Sequence, residues 1–447
     1  MASRFLPRDR LKWAPGEPKV PIWPFEPDIA VIRSFTSSVI QDSLPPDFRD
    51  ETCLEVVECA PISFKRTYSV THSTLGESYL FTVILPVDPV LLLESKVATT
   101  NYVHYNTRVP VPRVIAWDSS PKNALGYEWC LADKSYGVPL TPLWKEMAWR
   151  SKLDVVEQLA MHCQDLWSQH FDKIGSIYYK SRLAGLPGPS DGDYDSALIH
   201  ASREESTLPA FDIGPIVSSH LFTGRRQFVP AERGPFTSCK KWVESRIRFE
   251  LEFIIAGNEI LQDDPTTNPL DLDLPEYFVE RLDELQDLCH TYFFTLSKVF
   301  GTMDPPVPGK SLLSPSAMNL ENILVDPNTY RITGILDWCC VSATPSWISQ
   351  AFPGIFSSGH RLDRQRKLEV RLLRDHFRRT LTGLGHSVKF AALDKPKQRF
   401  YEGVDLLNKN WKRARKIIDL LEPLGDYYQE SDDSASTPTW STSSSSD

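Results

Sequence analysis

Two polar side chains, Asn322 and Asp337, flank a segment that predicts a β-hairpin. Two short apolar runs, 323–325 and 332–336, are separated by Asp-Pro-Asn-Thr-Tyr, which is typical of a turn. Antiparallel pairing of the runs would bring Asn322 and Asp337 side by side at the open end. An amide oxygen and a carboxylate in that position could hold a hard cation such as magnesium. The alternative is that both side chains simply cap the hairpin.

The same segment carries a resemblance to a known family. The runs Asn-Ile-Leu-Val-Asp (322–326) and Ile-Thr-Gly-Ile-Leu-Asp-Trp (332–338) resemble the catalytic-loop and metal-loop hairpin of aminoglycoside and choline kinase-like phosphotransferases. Further stretches match a fungal subgroup of that family in the same order: 85–89, 97–99, 109–116, 123–129, 213–218 and 234–236. The resemblance spans about residues 50 to 425. It implies an α+β, protein-kinase-like two-lobed fold, with a small antiparallel β-rich N-lobe and a larger, mainly helical C-lobe.

The resemblance also implies a catalytic base that this chain lacks. In the family, an aspartate five residues before the metal-binding asparagine orients the substrate hydroxyl group and accepts its proton. Counting back from Asn322, that position is Ala317. A methyl group can neither accept a proton nor orient a hydroxyl group, so no catalytic residue is intact. Asn322 and Asp337 remain as the metal ligands and as a weak nucleotide site.

The family's ion pair between a basic residue on the third strand and an acid on the N-lobe helix is missing as well. The basic position falls on Thr82, or on Ile84 if the alignment shifts by two residues, and the acidic position is Lys96. Lys65, Lys96 and Asn319 are conceivable substitutes. For the two lysines we expect a solvated surface charge instead, and for Asn319 a turn-forming side chain.

The turn that covers the nucleotide phosphates usually contains glycine, since backbone amides must approach the phosphates closely. The corresponding segment here, 58–68, contains no glycine and has a proline at position 61. Glu94, a near neighbour of Lys96, is expected to point to a different face of its helix. The resemblance implies ATP and magnesium as cofactors, and these losses argue against their use.

Composition excludes several other function classes. The chain has 447 residues, 41% of them hydrophobic, and a formal net charge of -9. An acidic chain without a basic stripe is poorly suited to nucleic acid or anionic lipid. No run approaches the roughly 20 apolar residues of a membrane span, the start lacks the apolar block of a signal peptide, and the eight cysteines form no C-x-x-C pair. We expect a soluble, cytoplasmic protein with reduced thiols that binds neither nucleic acid nor membrane.

Periodicity divides the chain into four parts. Residues 1–50, rich in proline and aromatic residues, are predicted to form an extended arm that packs on the body. Residues 51–135 contain five β-like runs and one helical stretch, 94–105, and form the predicted N-lobe. Residues 136–428 form the predicted C-lobe, with one β-like island at 323–336 and helical periodicity at 153–167, 242–253, 277–300, 366–381 and 400–421. The Ser/Asp-rich tail, 429–447, is predicted to be disordered.

Two functions remain open at this stage. The first is a catalytically impaired, pseudokinase-like protein with a binding or regulatory role, whose partner is an unknown small molecule or protein in the interlobe cleft. The second is a residual or rewired small-molecule phosphotransferase that uses ATP and magnesium. The missing base and the missing ion pair favour the first.

Overall fold

The secondary structure is given by a computed structural model that describes residues 10–14, 19–59, 63–186, 199–200, 209–264, 281–301, 311–356, 363–385, 395–407 and 409–421. The strands are β1 (Trp13–Ala14), β2 (Val20–Pro21), β3 (Leu54–Glu58), β4 (Lys65–His72), β5 (Ser78–Ile84), β6 (Val114–Asp118), β7 (Glu128–Asp133), β8 (Val138–Pro139), β9 (Gly175–Tyr179), β10 (Ile199–His200), β11 (Phe211–Gly214), β12 (Ser311–Leu313), β13 (Ile323–Val325), β14 (Ile332–Ile335) and β15 (Ser342–Pro345). The helices are α1 (Ile29–Ile40), α2 (Leu91–Asn106), α3 (Leu140–Trp144), α4 (Trp149–Trp167), α5 (Lys180–Leu183), α6 (Ser219–Phe222), α7 (Cys239–Asp263), α8 (Leu282–Phe300), α9 (Ser346–Ser349), α10 (Arg364–Gly383), α11 (Lys395–Leu406) and α12 (Trp411–Leu421).

Six strands form one antiparallel sheet in the order β10-β6-β7-β5-β4-β3. The register between β4 and β5 pairs Lys65 with Ile84 and Thr67 with Thr82. Strand β7 continues the sheet, with Cys130 opposite Thr82. Because directly paired residues point to the same face, Lys65, Thr67, Thr82 and Cys130 share one face of the sheet. The five β-like runs predicted for residues 51–135 all correspond to strands of this sheet.

Helix α2 confirms the helical stretch predicted within this region. The Val90 N–H, just before the helix, donates to Oε1 of Glu128 on β7 at 2.8 Å. Further along, Asn101 Nδ2 donates to the Val114 carbonyl at 3.3 Å, and the Val114 N–H donates to Asn101 Oδ1 at 3.1 Å. These bonds fasten the helix to strands β7 and β6 and so fix the direction of its side chains.

The N-terminal segment packs on the sheet as predicted, but it is not extended throughout. Residues 29–40 form α1, because Asp28 caps the helix by accepting the Ala30 N–H at 2.9 Å. The ring of Phe35 lies 5.2 Å from that of Trp129 on β7. The proline-rich composition nearby hid this helix from the sequence prediction.

The prediction of a single β-like island at 323–336 is incomplete. Strands β13 and β14 form the expected hairpin, and β8 adds a third strand. A further four-stranded antiparallel sheet has the order β11-β9-β15-β12. Its strands have three to five residues each, which is too short for their periodicity to be distinguished in the sequence.

Helices α4 and α10 confirm two of the predicted helical segments. Leu159 and Cys163 of α4 are fully buried, as their spacing predicted. Trp167 at the end of α4 donates its indole N–H to the Ser349 carbonyl at 3.1 Å. Phe377 of α10 lies in the same hydrophobic core. Together with the hairpin and the sheets above, these elements belong to one compact unit within residues 1–237 and 307–393.

A second compact unit comprises described residues within 238–267, 274–306 and 394–447. It contains α7, α8, α11 and α12, and Tyr292 of α8 donates its hydroxyl group to the Ala414 carbonyl at 2.8 Å. The single helix predicted at 400–421 is two helices. Asn410 accepts the Arg413 N–H at 3.2 Å and begins α12, which the continuous apolar periodicity did not reveal.

The predicted α+β class, with an antiparallel sheet before a mainly helical part, is confirmed. All eight cysteines are free. Within the described ranges, no helix combines the length and the apolar character that crossing a bilayer requires. The predicted tail, 429–447, lies outside the described residues.

Candidate functional site

The hairpin places Asn322 and Asp337 at its open end. Ile323 pairs with Ile335, and the Leu336 N–H donates to the Asn322 carbonyl at 2.8 Å. Asp337 is the next residue and has a φ of 59°, in the left-handed region that aspartate adopts more readily than most residues. About a quarter of its side chain, 27%, is exposed. Its Oδ1 atom is nevertheless buried, so this oxygen does not contribute to the exposed part.

The position that the resemblance assigns to the catalytic base is apolar and closed. Ala317 ends a short 3-10 helix, 315–317, and belongs to the hydrophobic core, with 3% of its surface exposed. Asn319 does not replace the base, because its Oδ1 accepts the backbone N–H groups of Glu321 and Asn322, each at 3.0 Å. Asn319 is thus a turn-forming side chain, as predicted.

Lys65, the first residue of β4, forms an ion pair with Oδ2 of Asp337. Only 9% of the Lys65 side chain is exposed, so the expectation of a solvated surface charge is wrong. Thr82, at the family's basic position, lies on the neighbouring strand and on the same sheet face. Its hydroxyl oxygen lies 3.4 Å from that of Thr67. A basic group therefore reaches Asp337 from β4, the strand beside the one that the resemblance indicates.

Lys96 and Glu94 of α2 have different partners. The Lys96 ammonium donates to Sγ of Cys130 at 3.0 Å and is partly buried, so the expectation of a solvated charge is wrong here too. Glu94 is buried and accepts from Ser119 Oγ and from the Arg182 guanidinium, both at 2.7 Å. The acid of α2 therefore belongs to another network, as its helical position predicted.

The charges around Asp337 are coupled. Burial raises the pKa of Asp337, but the charge and hydrogen bond of Lys65 lower it more, so the net pKa lies below its usual range. Burial lowers the pKa of Lys96, but the neighbouring thiols, chiefly that of Cys130, and Asp337 raise it more. Burial and Asp337 raise the pKa of Cys339 to about 12, so this thiol is protonated at neutral pH. Lys65, Lys96 and Asp337, the lysine–aspartate cluster, thus hold two positive charges and one negative charge.

The residues present fit a magnesium ion poorly. Asp337 Oδ1 is buried and accepts no hydrogen bond within the described part of the chain, which is the feature that suits a cation. Its other oxygen is held by Lys65, and Lys96 adds a second positive charge nearby. Magnesium needs near-octahedral oxygen ligands, and the described residues offer no group of three or more His, Cys, Asp or Glu side chains that could hold a metal ion. A divalent cation does not fit while Lys65 keeps its position.

The turn predicted to cover the phosphates connects β3 and β4. Its residues 60–62 lie outside the described ranges, and Ser63, which follows, has a φ of 46°. Trp23 donates its indole N–H to the Ser63 carbonyl at 3.3 Å. The N-terminal segment therefore contacts this connection directly.

Sequence reasoning missed the contact between Lys65 and Asp337. The available signal was the strand register, because Lys65 and Thr67 alternate onto the face that carries Thr82. To use this signal, one must know the register of β4 with β5 to within one residue. Nothing in the local sequence around Asp337 indicates its partner.

No family model matches the chain. Among curated proteins, it is 23% identical over 316 residues to a subtelomeric hrmA-associated cluster protein of Aspergillus fumigatus, a match that covers 63% of this chain and 56% of that protein. It is also 23% identical over 242 residues to the altered inheritance of mitochondria protein 9 of Candida albicans, covering 50% of this chain and 37% of that protein. The chain thus spans about half the length, or less, of these curated relatives.

Solved structures similar to the chain include kinase-like phosphotransferases. One is an aminoglycoside phosphotransferase in a ternary complex with AMP-PNP and hygromycin B, 12% identical, with 88% of this chain and 97% of that one covered and a TM-score of 0.38. Another is an aminoglycoside phosphotransferase in complex with gentamicin, 8% identical, with 90% and 96% covered and a TM-score of 0.43. A choline kinase from Cryptosporidium parvum is 10% identical, with 90% and 95% covered and a TM-score of 0.36. These solved structures are of the kinds of protein that the sequence motifs resemble.

Proposed function

We propose that the chain is a kinase-like protein with a binding or regulatory role that transfers phosphate poorly or not at all. The observation that carries this proposal is the buried methyl group of Ala317 at the position of the base. Asn319 is occupied in a turn. The described residues therefore supply no replacement base in this segment.

The usual rate contributions of the missing groups support a site with little or no phosphotransferase activity. A positioned general base contributes about 10²–10⁴ in rate, and a charge-stabilising donor about 10²–10³. Kinases turn over at about 1–100 s⁻¹, so loss of the base alone would leave about 1 s⁻¹ or far less. The rate losses caused by removing several residues of one catalytic unit are not additive. A single substitution is therefore not expected to restore activity.

A turnover assay of the full chain tests the proposal. ATP and magnesium would be offered with choline, ethanolamine or an aminoglycoside, the acceptor classes suggested by similar solved structures. We expect no product above background for the natural chain, and none for Ala317→Asp beyond the matched control Ala317→Asn. Turnover of the natural chain in the ordinary kinase range would contradict the proposal.

A second candidate is a rewired small-molecule phosphotransferase that uses ATP and magnesium. The position of Lys65 favours it, because a basic group lies on the sheet face of Thr82 although position 82 itself is a threonine. Magnesium binding would then require Lys65 to leave Asp337. In that case Lys65→Met would abolish turnover, while Thr82→Val, the matched change on the same sheet face, would leave it nearly unchanged.

We also propose a cytoplasmic location. The eight free cysteines suit a reducing compartment. Because the name of the Candida albicans relative places that protein in mitochondria, fractionation of cells that express the tagged chain is the test. Recovery with mitochondria would contradict the proposal.

A further inference from the structure

We propose that the lysine–aspartate cluster binds the phosphate group of a small molecule without a divalent cation. This inference rests on the proposed function, since it names the ligand class of the same site. The resemblance implies a magnesium ion at Asp337, but the charged side chains around Asp337 are lysines, which suit an anion instead.

The direct contact of the Lys96 ammonium group does not neutralise its charge. Lys96 is partly buried, and its contact is the Cys130 thiol at 3.0 Å rather than an anion. Sulfur is a weak hydrogen-bond acceptor, and a buried charge is stable only when it is paired. Asp337 is already shared with Lys65. An anionic ligand would supply the negative charge that the described residues do not.

The donors of Lys65 and Lys96 converge on one face of the sheet. Lys65 projects from this face and pairs with Asp337, and Lys96 reaches it from α2 through Cys130, which lies on the same face. Each ammonium group has three N–H donors, and Asp337 and Cys130 each engage one. The remaining donors suit phosphate oxygens, which accept charge-assisted hydrogen bonds.

A magnesium ion would compete with the two lysines of the cluster. The Lys65 ammonium already holds the carboxylate oxygen that a metal ion would need. Added magnesium would compete with Lys65 for Asp337 and with both lysines for the phosphate oxygens. Binding should therefore need no magnesium and should be no tighter when it is added.

Calorimetric titration of the full chain in EDTA tests the inference, with inorganic phosphate, tripolyphosphate and ATP as probes. We expect saturable binding of tripolyphosphate or ATP in EDTA, weakened by salt because the contacts are charged. Tighter binding of ATP than of tripolyphosphate would identify a nucleotide as the source of the phosphate. Equal affinity for ATP and tripolyphosphate would show that the site recognises only the phosphate groups.

Three variants and a control sharpen the result. Lys96→Met and Lys65→Met should each raise Kd roughly tenfold or more, since each removes a charge-assisted contact. Lys145→Met, an exposed lysine outside the cluster, should leave Kd unchanged. Asp337→Asn should preserve or tighten binding, because it frees Lys65, whereas a magnesium-dependent site would lose binding. The Lys96→Met substitution keeps the ion pair between Lys65 and Asp337 intact. This variant therefore tests the inference even if Lys65→Met fails to fold.

Two outcomes would overturn the inference. One is binding that occurs only with magnesium and disappears in Asp337→Asn. The other is no saturable binding of any probe at millimolar concentration. Either result leaves the impaired-catalysis proposal standing, since that proposal is decided by turnover, and measured turnover would contradict it separately.

Discussion

Lys65 at the start of β4 is ion-paired with Asp337 at the end of the β13–β14 hairpin, and this contact joins the first sheet to the loop after β14. The lysine side chain is almost fully buried, so its charge must be compensated locally. The contact accounts for the lowered pKa of Asp337 and for the poor fit of a divalent cation. This one ion pair thus lowers the pKa of Asp337 and occupies one of its carboxylate oxygens.

Breaking this pair should cost measurable stability. Lys65→Met and Asp337→Asn are each expected to lower the free energy of unfolding by about 2–3 kcal/mol, because each leaves a partly buried charge unpaired. The double variant should cost less than the sum of the single variants by about 1 kcal/mol or more. Thermal unfolding of the four proteins measures this coupling.

The control for that cycle is an exposed pair. Arg150 and Asp154 lie 3.1 Å apart with side chains 76% and 45% exposed, so their coupling should be about 0–0.5 kcal/mol. Equal coupling in the two cycles would show that burial of Lys65 adds nothing to the interaction.

Acid should remove the contribution of Asp337. Its pKa is lower in the folded chain than the ordinary value of 3.8, so the folded state binds its proton less tightly than the unfolded state does. The stabilisation is full above about pH 4 and is lost as the pH falls through the folded pKa. The melting-temperature difference between the natural chain and Asp337→Asn should shrink below pH 4. A difference that stays constant from pH 7 to pH 3 would contradict the assigned shift.

Much of the fold could be predicted because its signals are local. The hairpin at 323–335 was predicted from two apolar runs around Asp-Pro-Asn-Thr-Tyr, and α4 from the spacing of its buried residues. Such patterns are decided by neighbours within a few residues. The break between α11 and α12 was missed because the apolar spacing continues through Asn410.

The site was harder to predict because it depends on distant pairing. The assignment of Ala317 to the position where the resemblance expects a base needs only counting along the chain from Asn322, and it stays a prediction. The burial of Lys65 and Lys96 could not be predicted, because a lysine in isolation is most often exposed. Their environment depends on the register of β4 with β5 and on the packing of α2, which bring Cys130 and Asp337 to the two ammonium groups.

The connection from the first sheet to the hairpin should depend on a glycine. Gly137 has a φ of 122°, and a Cβ atom there would lie 2.8 Å from the Val325 carbonyl oxygen and would also meet the Thr333 hydroxyl group. Gly137→Ala is expected to lower the free energy of unfolding by about 2–4 kcal/mol, from backbone strain and overpacking together. The matched control is Gly76→Ala, where φ is 70° and no atom lies within 4 Å, so strain alone should cost about 1–2 kcal/mol. Equal losses in thermal unfolding would show that the close approach at Gly137 is unimportant.

Glu128 should make the chain less stable as the pH rises. It is 1% exposed and accepts the Val90 N–H at 2.8 Å. Burial, together with the nearby carboxyl groups of Glu94, Asp88 and Asp118, raises its pKa well above 4.5. The folded chain therefore keeps a proton that the unfolded chain releases, so stability falls as the pH rises from about 4.5 through the folded pKa.

Substitution of Glu128 by glutamine separates the charge from the hydrogen bond. Glu128→Gln keeps an acceptor for the Val90 N–H and removes the titration, so its melting temperature should exceed that of the natural chain at pH 8 and vary less between pH 5 and pH 8. Glu128→Ala should melt lower than both, because it leaves a buried N–H without an acceptor and opens a cavity, a loss of about 2–3 kcal/mol. If Glu128→Gln were instead less stable than the natural chain by the same amount at every pH, the carboxyl group would not titrate in this range and the raised pKa would be wrong.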